Sequence, residues 1–196
     1  NRSGAKYLNR LYPRSHSHHA MNPPIQKILI TREQLKKRIH QLADAINRDY
    51  RGKELILMAI QKGAIVFLAD LMKELDLDVK IGFLYLSSYR GDISPQETIT
   101  TFPLPFPEII DQDVLVIEDI LDTGASLRYA LNLCREKNPR TLKTCVLLIK
   151  EGIERVDTPP IDYFGFHIPN EFVVGYGLDY QERYRHLPFI AIPEMS

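Results

Sequence analysis

Hydrophobic positions recur along this chain in two alternating rhythms. Lys27–Ile30 is a short apolar run, and Leu35, Ile39, Leu42 and Ile46 then return at helical spacing to about Asn47. Thr31 and Gln34 supply a capping-box pattern for that helix. After a turn over Asp49–Lys53, Glu54–Ile60 is continuously apolar, as in a strand covered on both faces. Ile65, Leu68, Leu71 or Met72, and Leu75 predict a second helix, and Val79–Leu86 a third strand. Val114–Ile117 is another unbroken aliphatic strand, followed by a helix carrying Leu127, Ala130, Leu131 and Cys134 that Asn138-Pro139 ends. Thr141–Ile149 is the next strand. Three short strands close the chain: Tyr163–Phe166, Phe172–Tyr176 and Phe189–Ile192.

Strand–helix alternation of this kind predicts an α/β fold: a doubly wound, mostly parallel sheet flanked by helices. The core spans about residues 27–158, and about 159–196 forms a small C-terminal hood lobe packing with the N-terminal segment. Between Ser88 and Glu108 periodicity fails and four prolines are interleaved. A connection that long in a compact domain is expected to be a functional lid, here a mobile flap with a β-hairpin of its own.

Composition narrows the function classes. At 196 residues, 44% hydrophobic and with no net charge, the chain is one globular domain without a broad field for nucleic acid or membrane. No apolar stretch reaches the roughly 18 residues of a membrane-spanning helix. Two lone cysteines, Cys134 and Cys145, fall inside predicted elements and suggest a reducing, cytoplasmic setting. Residues 1–20 read as a tag or extension ahead of Met21, and the domain as 21–196; His16, His18 and His19 have no partner ligands at metal-binding spacing.

The chemistry concentrates after the Val114–Ile117 strand. Glu118 and Asp119 sit where that strand leaves the sheet, and Asp122-Thr-Gly-Ala-Ser126 leads into a helix. A loop of Thr123, Gly124, Ala125 and Ser126 presents hydroxyls and backbone N–H groups at a helix N-terminus, where an anion is favoured. A carboxylate pair beside a phosphate cradle suits a sugar with hydroxyls, a metal and a 5′-phosphate. Asp-Thr-Gly is also the core of an aspartic protease motif. That reading needs a second copy and an all-β setting, whereas this chain has one copy with a helix directly after it. Lys62-Gly63 ends the Glu54–Ile60 strand, on the sheet edge where open α/β folds bind ligands.

The thirteen positions Val114–Ser126 resemble the phosphoribosyl-diphosphate (PRPP) signature of type I phosphoribosyltransferases. From about Ile25 onward the resemblance is to the hypoxanthine-guanine branch. It implies that Glu118 and Asp119 hold the ribose hydroxyls, directly or through metal-bound water, and that Thr123–Ser126 bind the 5′-phosphate. Asp122 would be the general base or acid at the purine N7. Lys150, after Val146-Leu-Leu-Ile149, is similar to the lysine that contacts the 6-oxo group. Phe172-Val-Val-Gly-Tyr-Gly-Leu-Asp-Tyr180 resembles the base-stacking segment, making Phe172 the stacking ring, Val173 a backbone contact and Asp179 a metal-linked carboxylate. Arg185, six residues past Asp179, would contact pyrophosphate with the Lys62-Gly63 loop, in which the Gln61–Lys62 peptide would be cis.

Ser88-Tyr89 is similar to the pair that opens the family's flap. Taken singly, Lys150 reads as a strand cap, Phe172 as core and Arg185 as surface charge; the joint spacing carries the resemblance. It further implies Mg²⁺ at Glu118, Asp119 and Asp179, PRPP and a 6-oxopurine base as partners, and a homodimer or homotetramer. Two positions depart from the pattern. Ala125 stands where some relatives have Lys, and the flap reads Thr100-Thr-Phe-Pro-Leu-Pro-Phe-Pro107 rather than Gly-, Ser- and Lys-rich. The alternatives are a PRPP-binding regulatory protein of the same fold and a transferase preferring xanthine.

Overall fold

The computed structural model describes residues 25–89, 98–101, 107–155 and 160–194, the backbone alone for 87–89 and 98–101. The expectations for residues 1–20, for Met21 and for most of the flap lie outside the described residues.

Strand β1 (Ile25–Ile30) leads into helix α1 (Arg32–Asp49). The capping box forms in both directions: Gln34 N–H donates to Thr31 Oγ1 at 3.2 Å, and Thr31 N–H to Gln34 Oε1 at 2.8 Å. Leu35, Ile39, Leu42, Ala43 and Ile46 form the buried stripe. Then follow β2 (Glu54–Gln61), α2 (Ile65–Lys73), β3 (Asp78–Tyr89), β4 (Thr98–Thr101), β5 (Asp113–Leu121), α3 (Ala125–Arg135), β6 (Thr141–Lys150), β7 (Tyr163–Ile168) and β8 (Ile190–Pro193).

The main sheet has the order β4-β3-β2-β5-β6-β7, parallel throughout except for β4, which forms an antiparallel hairpin with β3 at one edge. Successive side chains of a strand face opposite ways, and both faces of β2 are covered. Leu55, Leu57 and Ala59 pack in the core under α1 and α2, while Ile56, Met58 and Ile60 pack with Leu127, Leu131 and Cys134 of α3. From β2 the chain moves outward to β3; from β5 it moves the other way to β6. The order therefore reverses between β2 and β5, and the crevice beyond their carboxyl ends is where this architecture binds ligands.

Two assignments at the periphery differ from the sequence reading. β7 was expected in the hood but completes the main sheet beside β6. It is an edge strand with alternating burial, so its pattern lacks the continuous apolar signature of the inner strands. Gly165 lets it approach closely, since a Cβ there would lie 2.3 Å from the Leu147 carbonyl oxygen. β1, read with the core, instead pairs antiparallel with β8 as a separate two-stranded sheet.

Phe172–Tyr176 is not a strand either. It makes only isolated bridges, Val174 with Ala191 and Gly175 with Leu178, because Gly175 (φ 98°) and Gly177 (φ 101°) turn the chain through left-handed backbone. The hood is thus β1, β8 and the segment between Val173 and Phe189, knit by Val174, Tyr184, Leu187, Phe189 and Ala191. Tyr176 Oη donates to Asp70 Oδ2 at 2.7 Å, fastening the hood to α2. Among the described residues no helix is long and apolar enough to cross a membrane.

Candidate active site

β5 carries its aliphatic run through the centre of the sheet and delivers Glu118 and Asp119 to the switch point. Both are nearly buried, 6% and 9% exposed. Burial, and after it the neighbouring Asp119 carboxylate, push the Glu118 carboxyl well above the ordinary range. Its Oε2 has no hydrogen-bond partner. Burial likewise raises Asp119, to about 6; its Oδ1 accepts the Ile120 N–H at 2.9 Å and Arg185 works against the shift. Buried polar groups are nearly always satisfied, so an orphaned carboxylate oxygen at a crevice marks a place for a donor from outside the chain.

The loop that follows lines a cavity of about 160 Å³ with Glu118, Asp122, Thr123, Gly124, Ala125 and Ser126. Gly124, at φ 82°, is the residue before α3, and no side chain caps that helix. Its first-turn N–H groups therefore face the cavity with only Thr123 Oγ1 accepting from Ala125 N–H, at 3.4 Å. The sequence placed the helix start at Leu127; it starts at Ala125, so Ser126 belongs to the first turn rather than the loop.

Lys62-Gly63 ends β2 alongside, and the Gln61–Lys62 peptide is cis, as the resemblance implied. Gly63 has no alternative: a Cβ there would lie 1.7 Å from Asp119 Oδ2. From the opposite side the hood's Gly177 rests on the same loop, where a Cβ would come within 2.1 Å of the Gly63 carbonyl oxygen. Arg185 donates to the Gly177 carbonyl oxygen at 2.8 Å and pairs with Asp179 Oδ1 at 2.9 Å and Glu182 Oε1 at 3.2 Å. Lys62 Nζ reaches Glu182 Oε2 at 3.1 Å. Three segments distant in sequence thus meet closely: the Gly177 and Gly63 backbones against each other, and Gly63 against the Asp119 side chain.

Across the crevice Lys150, the last residue of β6, extends Nζ to 2.9 Å from Asp122 Oδ2. Arg155 holds this arrangement: its guanidinium donates to the Asp122 carbonyl oxygen at 2.6 Å, to that of Leu121 at 3.1 Å, and to that of Lys150. Phe172 is 42% exposed and meets Tyr180 edge-on at 5.8 Å, whereas Val173 is buried. Ser88 and Tyr89 end β3 in the hairpin with β4, their side chains outside the described residues.

Sequence reasoning missed Arg155 and Glu182, since each stands in a charged run with no periodicity to single it out. A larger cleft, about 580 Å³, lies between α1, α2 and Arg185–Pro188. It shares Arg185 but none of the other expected site residues, whereas Glu118, Asp122 and Thr123–Ser126 line the smaller cavity. Among the described residues no group of three or more His, Cys, Asp or Glu forms a ready metal cage.

Residues 27–181 match the phosphoribosyl transferase domain family. The chain is 38% identical over 192 residues to the "Bifunctional protein TilS/HprT" of Listeria monocytogenes; the match covers 97% of this chain and 29% of that protein. The chain thus spans less than a third of that relative, and the match reaches into residues 1–20. It is 36% identical over 169 residues to the hypoxanthine-guanine phosphoribosyltransferase of Streptococcus pyogenes, covering 86% of this chain and 93% of that one. A crystal structure of a hypoxanthine-guanine phosphoribosyltransferase from Bacillus anthracis superposes with a TM-score of 0.79 at 39% identity, over 87% of this chain and 99% of that one. A family match over most of the chain, and relatives matched along nearly their full length, lead to one assignment: the chain belongs to the phosphoribosyltransferase family, in its hypoxanthine-guanine branch.

Proposed function

We propose that the protein transfers the 5-phosphoribosyl group of PRPP to N9 of hypoxanthine or guanine, releasing pyrophosphate and forming the purine mononucleotide, a purine-salvage reaction. The observation that carries this reading is the meeting, at one switch point, of a buried carboxylate pair, an uncapped helix N-terminus and a lysine–aspartate pair. The first suits ribose hydroxyls, the second a phosphate, the third a purine edge.

The C1′–O bond to pyrophosphate breaks with its electrons on the leaving oxygen, and N9 forms the new bond at C1′. Asp122 takes up the proton the purine sheds at N7, a role that typically supplies about 10²–10⁴ in rate. Lys150 donates to the 6-oxo group. Adenine would present a donor there, leaving buried groups unpaired. Lys62 and Arg185 meet the negative charge that grows on pyrophosphate, while Phe172 stacks on the base and Val173 offers its backbone. The flap beginning at Ser88 and Tyr89 excludes water.

The donor set fits Mg²⁺, which ordinarily uses one or two carboxylates together with substrate phosphates and waters rather than an all-protein cage. Glu118, Asp119 and Asp179 would hold it, and it supplies neutralisation of pyrophosphate charge when bound. The resemblance extends to a homodimer or homotetramer in a cytoplasmic setting, the assembly being readable by sedimentation.

The test is nucleotide formation from Mg²⁺, PRPP and each of hypoxanthine, guanine, xanthine, adenine and uracil. Turnover of hypoxanthine and guanine without adenine is expected. Faster xanthine turnover would reassign the base, and PRPP binding with no turnover of any base would make the protein a PRPP-responsive regulator instead.

A further inference from the structure

Glu182 has no part in the chemistry above, yet it touches both cations assigned to the leaving group. One carboxylate oxygen lies 3.1 Å from Lys62 Nζ and the other 3.2 Å from Arg185 Nη2. It sits at the second central position of a tight turn, Tyr180–Arg183, closed by hydrogen bonds in both directions between Tyr180 and Arg183. Both central residues, Gln181 (φ 51°) and Glu182 (φ 61°), occupy left-handed backbone, where Gly, Asn or Asp is strongly preferred. A glutamate in that conformation is held against local preference. Its own N–H adds a bond to Asp179 Oδ2 at 2.9 Å, which fastens the turn beside Arg185. The contact with Lys62, with Arg185 next to it, draws the Glu182 carboxyl below its ordinary range.

We propose that Glu182 is a resident stand-in for pyrophosphate: it bridges Lys62 and Arg185 and is displaced when the pyrophosphate group of substrate or product binds. The bridge spans the β2 loop and the hood, 120 residues apart in sequence, and keeps both cations facing the crevice with their charge compensated. It also opposes retention of the product, because the carboxylate competes for the same two partners as pyrophosphate leaves. Since Lys62 and Glu182 are half-exposed, with side-chain exposures of 47% and 65%, the competition is modest, about three- to tenfold in affinity for the two contacts together. This inference rests on the reading that Lys62 and Arg185 bind the leaving group.

The experiment is calorimetric titration of the full chain with pyrophosphate and Mg²⁺, comparing wild type with Glu182→Gln and Glu182→Gly. Glycine suits the left-handed turn, so a misfolded glutamine variant would not leave the question open. Both variants are expected to bind about three- to tenfold more tightly, with a slower off-rate by stopped flow and a larger loss of affinity on adding salt, since salt no longer also weakens a competing carboxylate. Variants that bind no more tightly than wild type overturn the stand-in role alone. A wild-type protein that binds neither pyrophosphate nor PRPP overturns the underlying reading as well.

Discussion

β5 carries an acid at each end, and the two ends are built on opposite principles. At the amino end Asp113 is fully buried and fully satisfied. Arg140 meets it through two nitrogens, at 3.1 and 2.6 Å, and Thr141 Oγ1 donates at 2.7 Å. The Arg140 hydrogen bonds hold its carboxyl below the ordinary range despite burial. At the carboxyl end, Glu118 and Asp119 are almost as deeply buried, but no cation pairs with Glu118 and the carboxyls are pushed up. Surface exposure is low at both ends, but different causes govern them: desolvation leads at Glu118 and Asp119, and the Arg140 hydrogen bonds lead at Asp113. A buried acid with partners ties β5 to β6, and one left without them is a candidate functional group.

The contrast breaks most sharply at the catalytic edge. Asp122→Asn should lower kcat by about 10²–10⁴ while PRPP binding, measured by calorimetry, stays within a few fold of wild type. Next in size is Gly63→Ala. Its Cβ would overlap Asp119 Oδ2, so loop and carboxylate must part, and kcat/KM for PRPP should fall by about 10²-fold or more. A normal kcat/KM in a folded variant would refute the close-packed site.

The amino end answers in stability instead. Asp113→Asn should cost about 2 kcal/mol in urea unfolding at pH 7, discounted from the 3–5 kcal/mol of a fully buried pair because Arg140 is half-exposed. The folded carboxyl sits below its unfolded value. The penalty should therefore be complete above an ordinary carboxylate value of about 4 and fade as pH falls through the lower folded value. Smallest is Glu118→Gln, which should leave stability unchanged or raise it by up to about 1 kcal/mol, since a desolvated acid gives way to a neutral isostere. The same variant should weaken PRPP binding. Destabilisation by Glu118→Gln comparable to that of Asp113→Asn would erase the distinction between the ends.

Much of this was legible in the chain. Continuous aliphatic runs named β2, β5 and β6, and the capping pair at Thr31 and Gln34 marked the start of α1 almost to the residue. Glu118, Asp119 and the Asp122–Ser126 loop stood out because they interrupt such a run with chemistry. What stayed hidden was set by tertiary contact. β7 alternates because it is an edge, so its pattern resembled a hood strand. Gly175 and Gly177 turn a stretch that composition alone suggested was extended. Arg155 acts only on backbone carbonyls brought near by folding, and Glu182 gains meaning only when Lys62 arrives from 120 residues away.

The pairing of β1 with β8 sets a schedule for the molecule's making. Ile25 is hydrogen-bonded into register with Pro193, so the hood closes only once nearly the last of the described residues is available. On the ribosome the sheet and the acidic loop can form early, from neighbouring segments. Arg185, Gly177 and Asp179 join them only after β8 has emerged, against the entropy of closing the longest loop in the fold. A chain halted before Ile190 would carry the carboxylates and the Asp122–Ser126 loop without the β1–β8 pairing that seats the hood against them.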